Sequence, residues 1–276
     1  MTMPFPKQVR IENTNHCNAQ CIMCPREQLS RQKGIMTLPF FRSICDQLVA
    51  GGTREIHLQG FGEPFLDKSL LAKVRYAKEA GIAYTFMVTN ASLIRPELAR
   101  ELLDSGLDKI KISFYGRDED EYERVHLGLN YRQVLDNIRQ LLALKRQLRR
   151  KKPVISLKYI GALRHFPRFL GQWIWRTSVS YAPLHNYGYG REYNRPRTAR
   201  KNRTCPMVTN PIMQLLWTGE VVPCCYDFDG KIILGDLSRQ TVAEAWNGEP
   251  YARFREIHRR REYEKIPICF HCDKLR

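Results

Sequence analysis

The sequence predicts an α/β protein: a partial, TIM-like (β/α)6 barrel followed by a small cysteine-rich α+β unit. Three observations carry that expectation. Strand-like and helix-like stretches alternate six times between residues 8 and 184. A Gly-, Tyr- and Arg-rich stretch without periodicity then interrupts the pattern at 185–203. Finally, the nine cysteines gather mainly towards the two ends of the chain.

The elements follow in order. "QVRIEN" (8–13) is the first strand, then a cysteine-containing loop and an amphipathic stretch at 38–50. "REIHLQG" (54–60) precedes a helix over 67–80, and "IAYTFMV" (82–88) one over 95–105. "KIKISFY" (109–115) leads into a single long helix over 118–148, "VISLKYI" (154–160) into 165–176, and "SVSYAPL" (178–184) closes the series. Repeated strand–helix units imply parallel pairing through right-handed crossovers. Six units, two short of eight, leave such a barrel open. Reactive groups in such folds gather in the loops after the strands. The later part reads as a hairpin, "IMQLLWTGEVVPCC" (212–225) with its turn at Thr218–Gly219, then a short strand "KIILG", helix near 240–260, and "CFHC" (269–272). The expected organisation is a barrel at 1–184, a connecting loop at 185–203 and a second domain at 204–276.

Composition narrows the function. At 276 residues and 43% hydrophobic content the chain can bury a full core, which excludes a disordered protein. No apolar run reaches bilayer length, and Met1–Arg10 lacks the apolar centre of a secretion signal, so a cytoplasmic location is expected. Clustered cysteines in a reducing compartment point to metal or redox chemistry rather than disulfides. The net charge of +17, concentrated in "KRQLRRKK" (145–152), "REYNRPRTARKNR" (191–203) and "HRRR" (258–261), suits solvated helix and loop faces or an anionic partner: a phosphorylated metabolite, a nucleotide sugar, nucleic acid or an acidic protein, of which an anionic small molecule is the expected one. Arg195, Arg197 and Arg200 are the basic residues expected to attract it.

"NHCNAQCIMCPREQ" sets Cys17, Cys21 and Cys24 in C-x3-C-x2-C spacing with no fourth cysteine nearby. Thiolates suit zinc or iron–sulfur clusters. A structural zinc site takes four ligands, so zinc would need His16 or a distant cysteine. A four-iron cluster with one iron left open needs only these three. Cys205, Cys224, Cys225, Cys269 and Cys272 form a second set, one more than a four-ligand site requires. A closed zinc site and an iron–sulfur cluster both remain open there on spacing alone. Cys45 lies in a helix-like stretch and is expected in the core.

The three-cysteine loop after a first strand resembles the signature of the radical S-adenosylmethionine (radical SAM) superfamily. "GFGEP" (60–64) resembles its glycine–glutamate motif, and "CPRxxxxxxxGxM" (24–36) is similar to a branch with an additional cluster. The segment from Cys205 through "VVPCCYDFDGKIILGDL" resembles the auxiliary-cluster domains of SPASM and shorter twitch type. The single-cluster arrangement is similar to the butirosin-type aminocyclitol dehydrogenases.

The resemblance implies S-adenosyl-L-methionine and two [4Fe–4S] clusters as cofactors. It makes Cys17, Cys21 and Cys24 ligands of the first and Cys205, Cys224, Cys269 and Cys272 ligands of the second. It further implies that the unique iron chelates the sulfonium cofactor, whose cleavage yields a 5′-deoxyadenosyl radical. Glu63 falls where the methionine amino group is contacted, Ser113 and Asn90 at positions near its ribose or carboxylate, and Met23 near its adenine. His126 occupies the position of an arginine that reaches the cofactor carboxylate in many relatives; Arg124 is the alternative. Asn90 and Ser113 have the competing reading of helix caps. An external one-electron reductant such as flavodoxin or ferredoxin is implied as a partner.

Two reactions fit. In one, a carbinol carbon of a sugar or cyclitol, phosphorylated or nucleotide-linked, is oxidised to a ketone with the auxiliary cluster accepting the electron; Lys158, Tyr115, Arg117 and His185 are candidates for a general base or cation near the hydroxyl. In the other, an epimerisation, Cys225 returns a hydrogen atom. Cys225 has bland alternatives as a spare buried thiol or as a ligand replacing Cys224. A peptide-modifying SPASM activity is a further possibility. A metal-containing nucleic-acid-binding protein would leave "GFGEP" and the three-ligand loop without purpose.

Overall fold

The computed structural model describes residues 4–116, 118–185, 187, 204–210 and 212–275. Arg117, Arg195, Arg197, Arg200 and most of the expected connecting loop lie outside the described residues.

Strands β1 (Gln8–Ile11), β2 (Glu55–Leu58), β3 (Tyr84–Thr89), β4 (Lys109–Ser113), β5 (Val154–Ile160) and β6 (Ser178–Ala182) pair in sequence order, all parallel. Between them run α1 (Leu38–Ala50), α2 (Leu70–Ala80), α3 (Pro96–Asp104), α4 (Glu119–Val125), α5 (Tyr131–Gln147) and α6 (Phe166–Trp173). The alternation along the strands explains the layering. Val9, Ile11, Ile56, Leu58, Ile110 and Ile112 join one buried core with Phe41, Ile44 and Leu48 of α1, Leu102 of α3 and Ile138 of α5. Each such side chain contributes roughly 1.5–3 kcal/mol by leaving water. Because side chains alternate between faces, Arg10, His57, Lys111 and Lys158 fall on the opposite face, the barrel interior.

The second part differs from expectation in one respect that matters. The hairpin of β7 (Ile212–Leu215) and β8 (Glu220–Val222) does form, turning at Gly219. It does not make a sheet of its own. β7 pairs in parallel with the free edge of β1, Gln8 opposite Ile212 through Ile11 opposite Leu215. With β9 (Gly235–Asp236) on β8, the sheet is continuous in the order β9-β8-β7-β1-β2-β3-β4-β5-β6. The remaining pieces are α7 (Pro206–Thr209), α8 (Val242–Asn247), α9 (Glu249–Arg260) and α10 (Pro267–Phe270). α8 begins with a capping box between Thr241 and Glu244 and docks on α1, where its Val242 N–H donates to Gln47 Oε1 at 2.9 Å.

A second departure lies at 118–148, expected as one helix. α4 stops at Val125, and α5 starts afresh at Asn130, whose side chain accepts from Gln133 N at 2.9 Å. In between, His126–Leu127 pairs antiparallel with Gln20–Cys21. Pairing to the cysteine loop replaces helical hydrogen bonds across the break.

A buried ion pair locks the loops above β1 and β2. Lys73 of α2 is fully buried and donates to Asp67 Oδ2 at 2.6 Å and to the Met36 carbonyl. Asp67 also accepts from Asn13 Nδ2 at 3.1 Å and from the Ser69 hydroxyl at 2.7 Å. Removing one member of a buried pair strands the other charge. Lys73→Met is therefore expected to lower stability by about 3–5 kcal/mol. Adding Asp67→Asn should recover much of that loss in urea unfolding; independent, additive losses would contradict the coupling.

Candidate functional site

The first cysteine loop leaves the C-terminal end of β1 and is stitched down on three sides. Asn15 accepts from Gly34 N at 2.8 Å and donates to the Gln32 carbonyl at 2.9 Å, closing the loop on itself. Asn18 donates to Ser92 Oγ at 2.8 Å and accepts from Asn90 Nδ2 at 3.0 Å, fastening it to the loop after β3. Backbone pairing of Cys21 with His126 fastens it to the α4–α5 break. Cys17, Cys21 and Cys24 are all partly exposed. Burial raises the Cys17 thiol pKa, and burial together with Cys24 and Cys17 pushes Cys21 up to about 12.

His126 has a different place from the one expected. It is buried, its Nε2 accepts from the Tyr115 backbone N–H at 3.2 Å, and its Nδ1 stands 3.1 Å from Cys21 Sγ. A backbone N–H can only donate, so the ring proton sits on Nδ1 and points at the sulfur. Burial brings the pKa down to about 3, so the ring is neutral. Both nitrogens are committed, which leaves neither for a cofactor carboxylate. His126 is instead a donor to a cysteine sulfur, with Tyr115 stacked on its ring at 4.9 Å. Arg124 lies on α4.

"GFGEP" packs directly under the cysteine loop. A Cβ on Gly62 would lie 2.3 Å from the Thr14 carbonyl and 2.7 Å from that of His16, while Glu63 N donates to the same His16 carbonyl at 2.8 Å. Only glycine allows that approach. The Glu63 carboxylate turns inward: it accepts from Thr89 Oγ1 at 2.6 Å, Asn90 N at 2.7 Å and Phe65 N at 3.3 Å, with 2% exposure. In this position the carboxylate clamps the loop after β2 to the end of β3, with three donors on two oxygens that together offer about four acceptor sites. Asn90 closes a local turn and caps no helix: its Oδ1 accepts from Ser92 N at 2.9 Å and Ser92 Oγ at 2.7 Å, while the next helix starts only at Pro96. Ser113 ends β4 beside Lys158 of β5, and its Oγ accepts from Tyr115 OH at 2.9 Å. Burial raises the Tyr115 phenol pKa, which favours the protonated phenol. Met23 is buried beside Cys24. Cys45 is in the core.

The later thiols lie near enough to oppose one another's ionisation. Cys205 caps α7, Cys224 and Cys225 follow β8, Cys269 lies in α10 and Cys272 just beyond it. Burial raises the Cys224 thiol first, then the proximity of Cys225, Cys269 and Cys205. Burial, with Asp273 and Cys205 nearby, takes Cys272 up to about 12. Cys225 lies close enough to Lys158 to favour the ammonium. His185 Nδ1 stands 3.4 Å from Asp273 Oδ2, and Tyr226 OH donates to Asp273 Oδ1 at 2.9 Å.

The two cysteine regions are joined. Arg31 grips Glu12 of the β1 loop with two 2.7 Å bonds and donates to the Phe228 carbonyl at 2.8 Å, while Asp229 accepts from Ser30 N and Oγ, each at 2.7 Å. Gly34, the glycine of "CPRxxxxxxxGxM", lies under the Trp217 ring of the hairpin turn; a Cβ would come within 2.4 Å of it. Sequence reading did not single out Asn15, Asn18, Glu12 or Arg31. The run of polar residues "ENTN" before the first cysteine was the available signal, because buried polar side chains demand partners.

The donor sets fit iron–sulfur clusters. Among the described residues no three His, Cys, Asp or Glu side chains converge on one point as a single ion requires. A four-iron cluster instead asks each thiolate for a different iron. Its positive irons would relieve the mutual opposition to ionisation at both thiol groups.

Gly62→Ala should lower stability by about 1–3 kcal/mol, the cost of overpacking against fixed backbone. Gly171→Ala in α6, where nothing lies within 4 Å, should be neutral or stabilising. Equal effects in thermal unfolding would dismiss the close approach.

Residues 11–147 match the radical SAM superfamily, and residues 205–273 match the SPASM iron–sulfur cluster-binding domain. The chain is 25% identical, over 96% of its length and 87% of the relative's, to the tungsten-containing aldehyde ferredoxin oxidoreductase cofactor-modifying protein of Pyrococcus furiosus. It is 22% identical to the S-adenosyl-L-methionine-dependent 2-deoxy-scyllo-inosamine dehydrogenase of Niallia circulans, over 97% of this chain and 92% of that protein. The crystal structure of BtrN in complex with AdoMet and 2-DOIA superposes with a TM-score of 0.71 at 19% identity, covering 100% of this chain and 95% of that one. The chain belongs to the radical SAM superfamily of enzymes, which use S-adenosyl-L-methionine with a [4Fe–4S] cluster, and it carries a SPASM domain for an auxiliary iron–sulfur cluster.

Proposed function

We propose that this enzyme oxidises a carbinol carbon of an anionic sugar or cyclitol to a ketone. The likeness to a dehydrogenase of similar length supports that reading. The carrying observation is the neighbourhood of Lys158: it lies on β5 in register with Ser113 at the end of β4, within electrostatic reach of Cys225 and Lys274 from the auxiliary region. Cys17, Cys21 and Cys24 would hold the cofactor-binding cluster, and Cys205, Cys224, Cys269 and Cys272 the auxiliary one. When bound, these groups supply a 5′-deoxyadenosyl radical that takes the carbon-bound hydrogen and an acceptor for one electron. The chain's own contribution is the proton. Burial, then Lys111 and Lys274, bring the Lys158 ammonium down to about 8, so a neutral amine is available to accept the hydroxyl proton. A flavodoxin- or ferredoxin-type reductant would reduce the first cluster.

A second reading is epimerisation with Cys225 as hydrogen donor, favoured by the same proximity of Cys225 to Lys158. Turnover in heavy water separates them: oxidation yields a carbonyl, epimerisation places deuterium on the inverted carbon.

Anaerobic reconstitution should give about eight irons per chain, from two four-iron clusters. Replacing Cys17, Cys21 and Cys24 by Ala should remove about half of that iron and all cleavage of S-adenosylmethionine. Replacing Cys205 and Cys269 should remove the other half and spare cleavage. If cleavage survives the first variant, the ligand assignment is wrong.

Because the neutral amine is the active form, turnover should rise with pH and level off above about 8. Lys158→Arg, charged throughout, should lose turnover while keeping the cofactor cleavage. An unchanged pH profile in that variant would remove Lys158 from the proton-acceptor role.

A further inference from the structure

The barrel interior holds a second set of groups that the proton-acceptor role does not use. Arg10, His57 and Gln214 are neighbours across β7, β1 and β2, with Arg10 in register with both of the others. Each has a buried side-chain atom without a hydrogen-bond partner: Arg10 Nε, His57 Nε2 and Gln214 Oε1. Gln214 is 3% exposed. Three unsatisfied polar atoms on adjacent strands, facing one layer, depart from the rule that buried polar groups are paired.

The charge of this layer is uncompensated. Lys111 lies over the Phe86 ring at 5.5 Å and close enough to His57 to oppose its protonation, as Arg10 also does. Lys158 continues the row upward, with Lys111 and Lys274 both opposing its charge. Among the described residues none of these cations has an ion pair. Glu12, beyond β1, is gripped by Arg31. Glu63 is enclosed by its three donors. Glu55 stands 3.4 Å from His57 Nε2 without hydrogen-bonding it and is half exposed at the opposite mouth. Hydroxyl groups complete the lining: Ser156 is in register with Lys111, and Ser180 with Lys158. Arg10, Lys111 and Lys158 are half-buried, and like charges so placed oppose one another unless something of opposite sign joins them.

We propose that the barrel interior is an oxyanion site, in which Arg10 and Lys111 hold a phosphate or carboxylate group of the substrate and Gln214 Oε1 accepts from a hydroxyl on the same molecule. A guanidinium offers a fork of donors that matches such an anion, and an ammonium adds a point charge. The group so held anchors the substrate below Lys158 and leaves its carbinol end towards the loops that carry the cysteines. This deepens the proposed oxidation of an anionic substrate and rests on it only for the identity of the reacting end.

The test uses the anaerobic holoenzyme at low salt with inorganic phosphate, pyrophosphate and acetate as calorimetric probes. Saturable binding at one site per chain is expected, weakened at least tenfold in both Arg10→Met and Lys111→Met. Gln214→Glu, which adds a negative charge without removing a cation, should weaken it as well, and guards against a Met variant that fails to fold. Tighter phosphate or pyrophosphate binding identifies a phosphate ester, and tighter acetate binding a carboxylate. Absence of saturable binding by the unaltered protein overturns the proposal. So does binding that ignores the three interior variants but is lost when Arg195, Arg197 and Arg200 become Gln. Cleavage of S-adenosylmethionine under dithionite, measured on the unaltered protein, keeps the two ideas apart. Cleavage without anion binding sinks the oxyanion site alone; anion binding without cleavage sinks the enzymatic reading alone.

Discussion

Strand β1 is hydrogen-bonded along its whole length on both edges, to β2 on one side and to β7 on the other. Most of the arrangement depends on that double pairing. The first cysteine loop springs from its C-terminal end, and the later thiols are tethered through the hairpin on its second edge. Side chains reinforce the join at the same level, through Arg31 on Glu12 and Phe228 and through Trp217 on Gly34. A separate domain on a flexible connection would need its own core and interface. Here the hairpin shares the barrel's, so Met213, Leu215 and Val221 pack into the same cluster as Val9 and Ile11.

Much of this was legible in the sequence because the signals were local. The strands announced themselves by apolar alternation or runs such as "KIKIS" and "VISLKYI", and the structure places all six within a few residues of expectation. The cysteine spacing and "GFGEP" carried the chemistry. Pairing of β7 with β1 was not legible, since it joins residues some two hundred positions apart and leaves no local trace. The break at His126 was hidden for another reason. Residues on both sides favour helix, and the deciding interaction is a backbone pairing to Gln20–Cys21. Motif resemblance also gave neighbourhoods rather than orientations. Glu63 and His126 are both in the expected region, yet their polar atoms serve other partners.

Electrostatics divides the molecule more sharply than its net charge suggests. The acidic groups near the site are all occupied: Glu12 by Arg31, Glu63 by backbone and hydroxyl donors, and Asp273 by Tyr226 and His185. The cations of the interior are left to act on whatever enters. A preorganised field of one sign attracts and orients an anion without rearrangement of the protein. Burial first, then Lys111 and Lys274, lower the affinity of Lys158 for its proton, so one of the cations proposed to hold the anion also prepares the amine to react.

The helix break at His126 has a consequence for anyone who would transplant the chemistry. Hydrogen bonds to cluster sulfurs help to set reduction potentials. A donor 105 positions away in the chain touches Cys21, so the cysteine triplet grafted alone onto another scaffold would assemble metal but inherit a different voltage. The exportable unit is the loop together with the interrupted helix that leans on it.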